Sequence, residues 1–293
     1  GYYGAFAQAG APVGVILANL AFILISRSVS EEFFMEWGWR IPFIASVALI
    51  GISMYIQLHM EDTNAFKELE ALKNQKQADA PAAAPIQRSP VLVALAKYPK
   101  RIALAAGAFL SIQVAFYILI GFVLAYGSDP EGAAMSRENM LFAVLFASML
   151  QIPAQFWAAS YSDRHGRRGI FMIGAVLTGI WSFALFPLID TGNFWLIVLG
   201  IGGGLVFLGL MYGPQAAFFT ELFSTEVRYS GASLGYQIGA IVGGAFAPIV
   251  ATYLWYEYDI IWVSVYITIA SGLSLLSVIM LTETYKTSLH DIH

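Results

Sequence analysis

Eight stretches of this 293-residue chain, each at least 19 residues long, contain no Asp, Glu, Lys or Arg: 2–25, 41–59, 102–126, 140–161, 169–189, 193–220, 229–256 and 260–281. About 20 mostly apolar residues suffice for one helix to cross a bilayer. In hydrocarbon every backbone polar group must be bonded inside the protein, so such stretches can only be helices. A soluble helical protein keeps a charged face on its outer helices, and eight consecutive uncharged stretches leave no such faces. The pattern predicts an all-α polytopic membrane protein with eight transmembrane helices. Composition agrees: 12% of residues are charged, against ~25% in soluble domains, and mean hydropathy is +0.69.

Several function classes drop out. The chain has no cysteine, which excludes disulfides and thiolate metal sites. A net charge of −4 gives no basic footprint for nucleic acid. There is no G-x-x-x-x-G-K-[ST] phosphate loop, no H-E-x-x-H and no G-x-S-x-G, so neither an ATP-driven pump in one chain nor those enzyme types are expected. No metal or organic cofactor is expected, and the chain is read as a monomer.

The basic residues orient the spans. Connections 60–101, 162–168, 221–228 and the tail from Thr282 hold twelve of the fifteen Lys and Arg. The opposite connections hold only Arg27, Arg40 and Arg137. The first set is expected in the cytoplasm, together with the C-terminus. Within it, "KELEALKNQKQADAPAAAPIQRSP" at 67–90 is charged and then Ala- and Pro-rich. It reads as a cytoplasmic linker, 60–100, between the two spans of 1–59 and the six of 101–282, with 283–293 as a tail. The chain starts at Gly1, already inside an apolar run, and two spans make a poor bundle; further N-terminal spans are expected. "HMEDTNAFKE" after the second span and "LTETYKTSLHD" after the eighth form a faint repeat six spans apart.

"GASLGYQIGAIVGG" at 231–244 sets Gly231, Gly235, Gly239 and Gly243 on one helix face. Each costs a soluble helix about 1 kcal/mol relative to Ala. In lipid, small residues instead let two backbones approach closely. Gly10 and Gly14, and Gly200 and Gly204, repeat the spacing. Glycine spacing fits static packing and a sliding surface between bundles equally well.

The most specific motif is "YSDRHGRRGI" at 161–170, in a short turn between the fourth and fifth spans. Gly166 permits the turn. Asp163 suits the free amides and positive dipole end of a helix N-terminus. Arg167 and Arg168 suit carboxylates on a facing loop, and "TELFSTEVRYSGAS" at 220–233 supplies Glu221 and Glu226 there, with Arg228. Together these read as a cytoplasmic gate; basic anchoring plus a turn is the plainer alternative.

The pattern DRHGRR resembles the D-x-x-G-R-R/K loop signature of the major facilitator superfamily, in its second copy. "ELFSTEVRYSGASLGYQ" resembles the stretch leading into helix 11 of that fold. "GAFAQAGAPVG", "WGWRIPFIAS" and "MEDTNAF" are similar to helices 5 and 6 of the metabolite:proton symporter family, carriers of shikimate, 2-oxoglutarate, citrate and proline or betaine. The resemblance implies helices 5 to 12 of a probable twelve, an inner-membrane location, alternating access about a mid-membrane site, and proton-coupled symport of an organic acid or zwitterion. It also implies that Gly10, Gly14 and the four glycines of 231–243 lie on the moving seam. The alternatives are a uniporter or exporter of the same superfamily, or a membrane receptor or scaffold.

Polar residues at mid-span need partners in lipid. They are the substrate-cavity candidates: Gln8, Asn19, Gln113, Tyr117, Gln151, Gln155, Tyr212, Gln215, Tyr236 and Gln237. Each can instead bond a neighbouring helix. Pro153, Pro214 and Pro248 are expected to kink helices beside them. No charged residue lies at mid-depth, which places any titrating acid outside these spans. His59 and His165 sit at cytoplasmic ends and read as surface histidines.

Overall fold

The computed structural model describes residues 1–59, 89–224 and 227–284. Among them every regular element is helical, and eight helices are long and apolar enough to cross a membrane: Tyr2–Ser28, Gly38–His59, Pro99–Ser128, Arg137–His165, Arg167–Asp190, Phe194–Thr220, Arg228–Glu257 and Ile261–Met280. They coincide with the eight uncharged stretches and are called the first to eighth spans below. Their ends follow local chemistry. Ser136 Oγ accepts the Asn139 N–H at 3.2 Å and starts the fourth span; Asn193 Oδ1 accepts from Trp195 at 3.0 Å and starts the sixth. Both are N-caps that fill amides no helix can fill for itself.

The chain divides into two compact units. One is Leu24–Ser89, whose described part comprises a capped turn at Glu31–Glu36, a 3-10 turn at Gly38–Arg40 and the helices Ile41–Ala45 and Val47–His59. The other joins Gly1–Ile23 to Pro90–His293 and holds the remaining spans. The expected linker, 60–100, falls largely outside the described residues, as does the acidic-Thr cluster after the second span. Its last part differs from expectation. Residues Pro90–Lys97 form a helix, and Ala94 is buried among Tyr98, Ile102 and Phe223 rather than in a free linker.

Close approach and hydroxyl bonds hold the larger unit. Gly209 faces the Gln151 carbonyl and Gln155 N–H of the fourth span, each 3.3 Å from where its Cβ would be; Gly213 faces the Gln155 carbonyl. Gly200 and Gly204 lie against Leu188 and Leu119. Serines bind the eighth span to two others: Ser274 Oγ accepts the Ser111 N–H at 2.8 Å and donates to the Gly107 carbonyl at 2.9 Å, while Ser264 Oγ donates to the Ser182 carbonyl at 2.7 Å. Such bonds in lipid are worth about 0.6–2 kcal/mol each.

The third and seventh spans are not α-helical throughout. Ile118–Phe122 and Ala240–Ala245 are π-helical. The kinks expected at Pro153 and Pro214 do not break the α-helices that contain them. At Pro248 the irregularity is present: Pro248 opens the Ala247–Glu257 helix just after the second π segment. Proline has no N–H to return to the preceding turn, and a π segment absorbs the register shift.

Candidate functional site

The DRHGRR turn builds a compact ion cluster. Gly166 ends the fourth span and begins the fifth with φ 105° and ψ 154°, a conformation that a side chain disfavours. This sharp reversal sets Arg167 on the fifth span's first turn, only 6% exposed. Its guanidinium pairs with Asp163 and donates to Ser162 Oγ at 2.9 Å. It also grips Glu221 at the end of the sixth span, Nη2 to Oε1 at 3.1 Å and Nε to Oε2 at 3.4 Å. A fork on a carboxylate uses the fixed geometry that distinguishes Arg from Lys. Thr284 Oγ1 donates to Glu221 Oε2 at 2.6 Å. Asp163 Oδ2 accepts the Tyr2 backbone N–H at 2.7 Å, which ties the first span to the same cluster.

The helix-start amide that Asp163 meets is Tyr2 N–H of the first span, while the fifth span's leading amides go to Glu283: Arg167 N–H donates to Oε1 at 2.9 Å and Arg168 N–H to Oε2 at 3.0 Å. A carboxylate there also suits the positive helix end. Arg168, expected on a facing carboxylate, donates to the last carbonyls of the eighth span, Val278 at 3.1 Å and Ile279 at 2.7 Å. A cation at a helix C-terminus is the complementary arrangement. Arg228 Nε donates to the Phe223 carbonyl at 3.3 Å. Glu226 lies outside the described residues.

Of the cavity candidates, the structure brings together two groups. Tyr212 of the sixth span lies within electrostatic reach of Tyr236 of the seventh and Tyr117 of the third. Gln113 and Tyr117 back onto Gly243 and Gly244, with the Tyr117 ring 2.6 Å from where a Gly244 Cβ would be. Phe116 stacks near Tyr212 and Phe109 meets Tyr236 edge-on. The second group is Gln151 and Gln155, one turn apart on the fourth span, both buried. Gln155 Nε2 donates to the Ala5 carbonyl of the first span at 3.5 Å, while Gln151 Nε2 and Gln155 Oε1 have no partner among the described residues. Gln215 is buried with its Oε1 likewise unpartnered. An unpaired buried amide atom costs free energy, and a hydroxyl, carboxylate or water can fill it. The remaining candidates stand apart: Asn19 bonds back to Val15 of its own helix at 2.9 Å, Gln8 is half-buried, and Gln237 is exposed.

The glycine face packs within the unit. Gly235 and Gly239 would set a Cβ 2.7 Å from Ala105 Cβ and 2.6 Å from Phe109 Cβ of the third span; Gly243 lies over Gln113, and Gly231 over Phe223. Gly10 and Gly14 have nothing within 4 Å of a Cβ among the described residues.

At the opposite end, Tyr126 donates to Asp190 Oδ1 at 2.6 Å and meets Trp255 edge-on at 5.0 Å, so the outer halves of the third, fifth and seventh spans hold together just beyond the two π segments.

Eight spans, small-residue packing and an ion cluster closing one end define an integral membrane protein of the major facilitator fold. The sequence matches the Major Facilitator Superfamily over residues 1–228 and 134–291, in two overlapping matches, and the chain belongs to that family. It is 32% identical to the inner membrane metabolite transport protein YhjE of Escherichia coli (strain K12), over 98% of this chain and 63% of that protein. It is 31% identical to the shikimate transporter of the same strain, over 92% of this chain and 60% of that one. The chain thus spans somewhat under two thirds of the relatives' length. In fold it is similar to the xylose transporter XylE from E. coli, with a TM-score of 0.62 at 16% identity over 97% of this chain and 64% of that one.

Proposed function

We propose that the protein is a secondary active transporter of a bacterial cytoplasmic membrane, with its C-terminus in the cytoplasm. It moves a small polar metabolite, an organic acid or zwitterion, by alternating access, with protons as the coupling ion. The observation that carries this reading is the position of the buried Arg167 fork. It joins the ends of the fourth, fifth and sixth spans, and through Thr284 the end of the eighth, beyond a charge-free set of Gln and Tyr side chains. A latch made of ion pairs opens without breaking a packed core, as a gate that opens on every cycle requires. The amide and phenol groups suit hydroxyl and carboxylate groups of a substrate, and the similarity to a metabolite transport protein and a shikimate transporter supports that class.

The test is uptake into proteoliposomes with a pH gradient imposed in either direction. Shikimate and betaine serve as the two probe substrates. Accumulation that follows the inward proton gradient is the expected result. Flux indifferent to the gradient favours a uniporter, and saturable binding without flux favours a receptor.

A further inference from the structure

We propose that the helix before the third span is a docking site for anionic phospholipid, and that a headgroup phosphate binds the cations at its end. The Pro90–Lys97 helix is too short to cross a membrane, yet its seven residues before Lys97 carry no polar side chain. One face of it is used inside the protein: Ala94 is buried against Tyr98, Ile102 and Phe223. The other is not. Val91, Leu92 and Leu95 lie on one arc of the helix and are 41%, 61% and 42% exposed.

What covers this arc is indicated by the charge beside it. From Ser89 to Arg101 the chain has Lys97, Lys100 and Arg101 and no acidic residue. At Tyr98 the backbone leaves the helical region, with φ −129° and ψ 39°, before Pro99 starts the third span. That break folds two cations onto one ring: Lys97 Nζ is 5.4 Å and Arg101 Cζ 5.2 Å from the Tyr98 centroid. The ring itself is fixed, its hydroxyl donating to Ser224 Oγ at 3.2 Å. Arg101 Nη1 donates to the Leu222 carbonyl at 3.0 Å, a neutral partner. None of the three cations forms an ion pair among the described residues, and the neighbouring Glu221 is engaged by Arg167 and Thr284. Two cations set around one fixed ring, with neither in an ion pair among the described residues, offer a headgroup phosphate a shared site.

The helix stands at the end of the bundle that carries the DRHGRR turn, which the Lys and Arg bias assigns to the cytoplasm. There the membrane surface is negative and basic side chains are drawn to it. Lipid supplies both things the helix lacks: acyl chain for Val91, Leu92 and Leu95, and phosphate for the cations.

The chain has no cysteine, so Leu92→Cys carries a single fluorophore in it, reconstituted in phosphatidylcholine vesicles containing phosphatidylglycerol. Nitroxide-labelled phosphatidylglycerol is expected to quench the probe more than nitroxide-labelled phosphatidylcholine at equal amounts. Lys97→Gln with Lys100→Gln, which leaves the Arg101–Leu222 bond intact, should weaken that preference by about fivefold for each charge removed. Arg137→Gln, at the opposite end, should leave it unchanged. Absence of quenching by either lipid means that protein covers the face and overturns the proposal. So does a preference that survives the double variant, or one that inorganic phosphate in solution abolishes.

Discussion

Glu283 shows what a single carboxylate does in this cluster. It fills the two leading amides of the fifth span, at 2.9 and 3.0 Å, from 115 or more residues away in sequence. Glu283→Ala removes both acceptors and a favourable charge at a helix start, and should cost about 0.5–2 kcal/mol. Glu283→Gln keeps one oxygen and should cost less. Thermal unfolding in detergent reads both, and equal midpoints for wild type and Glu283→Ala would sink the idea. This role was not legible in the sequence. Asp163 stands next to the free amides in the chain, and only the packed bundle shows that its oxygens go to Arg167 and to Tyr2 N–H. The Arg167–Glu221 pairing was legible, because opposite charges on two short loops at one membrane face have few other partners. The acidic-Thr pattern at 281–284 was visible as well, but its contacts were not, since nothing in a short motif says which helix end it reaches.

At the scale of a helix, glycine spacing told that close packing occurs but not which neighbour fills it. The four-glycine face lies on the third span, while Gly10 and Gly14 face open space among the described residues. Substitutions should therefore split into two classes. Gly239→Ala forces a Cβ to within 2.6 Å of Phe109 Cβ and 2.9 Å of the Ala106 carbonyl, and overpacking of this kind costs about 1–3 kcal/mol. Gly10→Ala and Gly14→Ala meet nothing and gain helix propensity, so each should be neutral or stabilising by up to about 1 kcal/mol. Thermal melts of the three single variants, run side by side, decide it. A Gly10→Ala protein as destabilised as Gly239→Ala would show that Gly10 has a partner that its 4 Å surroundings lack. The π segments were the least legible elements. Pro248 and the Gly243–Gly244 pair mark the one in the seventh span, but Ile118–Phe122 holds no proline and reads as an ordinary apolar run.

For the whole molecule, the informative contact is the one between Asp163 and the first span. On the proposed reading the first span belongs to the other six-helix half, and an Asp163 oxygen on the Tyr2 N–H, 2.7 Å away, is then a contact between halves that closes the cytoplasmic end. The neighbouring rings agree: Phe6 meets Phe156 edge-on at 4.9 Å, about two turns from Asp163 on the same side of the fourth span. Asp163→Asn keeps the size and an acceptor oxygen but removes the charge that Arg167 faces. Arg167 retains Glu221 and Ser162, so the turn should stay folded. The carboxylate is partly exposed, which limits its contribution to about 0–1 kcal/mol. A bias of that size moves a two-state population by at most about fivefold. The expected direction is toward the state open to the cytoplasm, because the lost contact closes that end. The chain has no cysteine, and Gln155→Cys, at a buried position against the first span, reports on it through an impermeant maleimide applied from the cytoplasmic side. Labelling should speed up by about two- to fivefold in the Asp163→Asn background, with slower turnover and little change in equilibrium substrate binding. Unchanged labelling together with normal turnover would mean that Asp163 only shapes the turn and does not act in the gate.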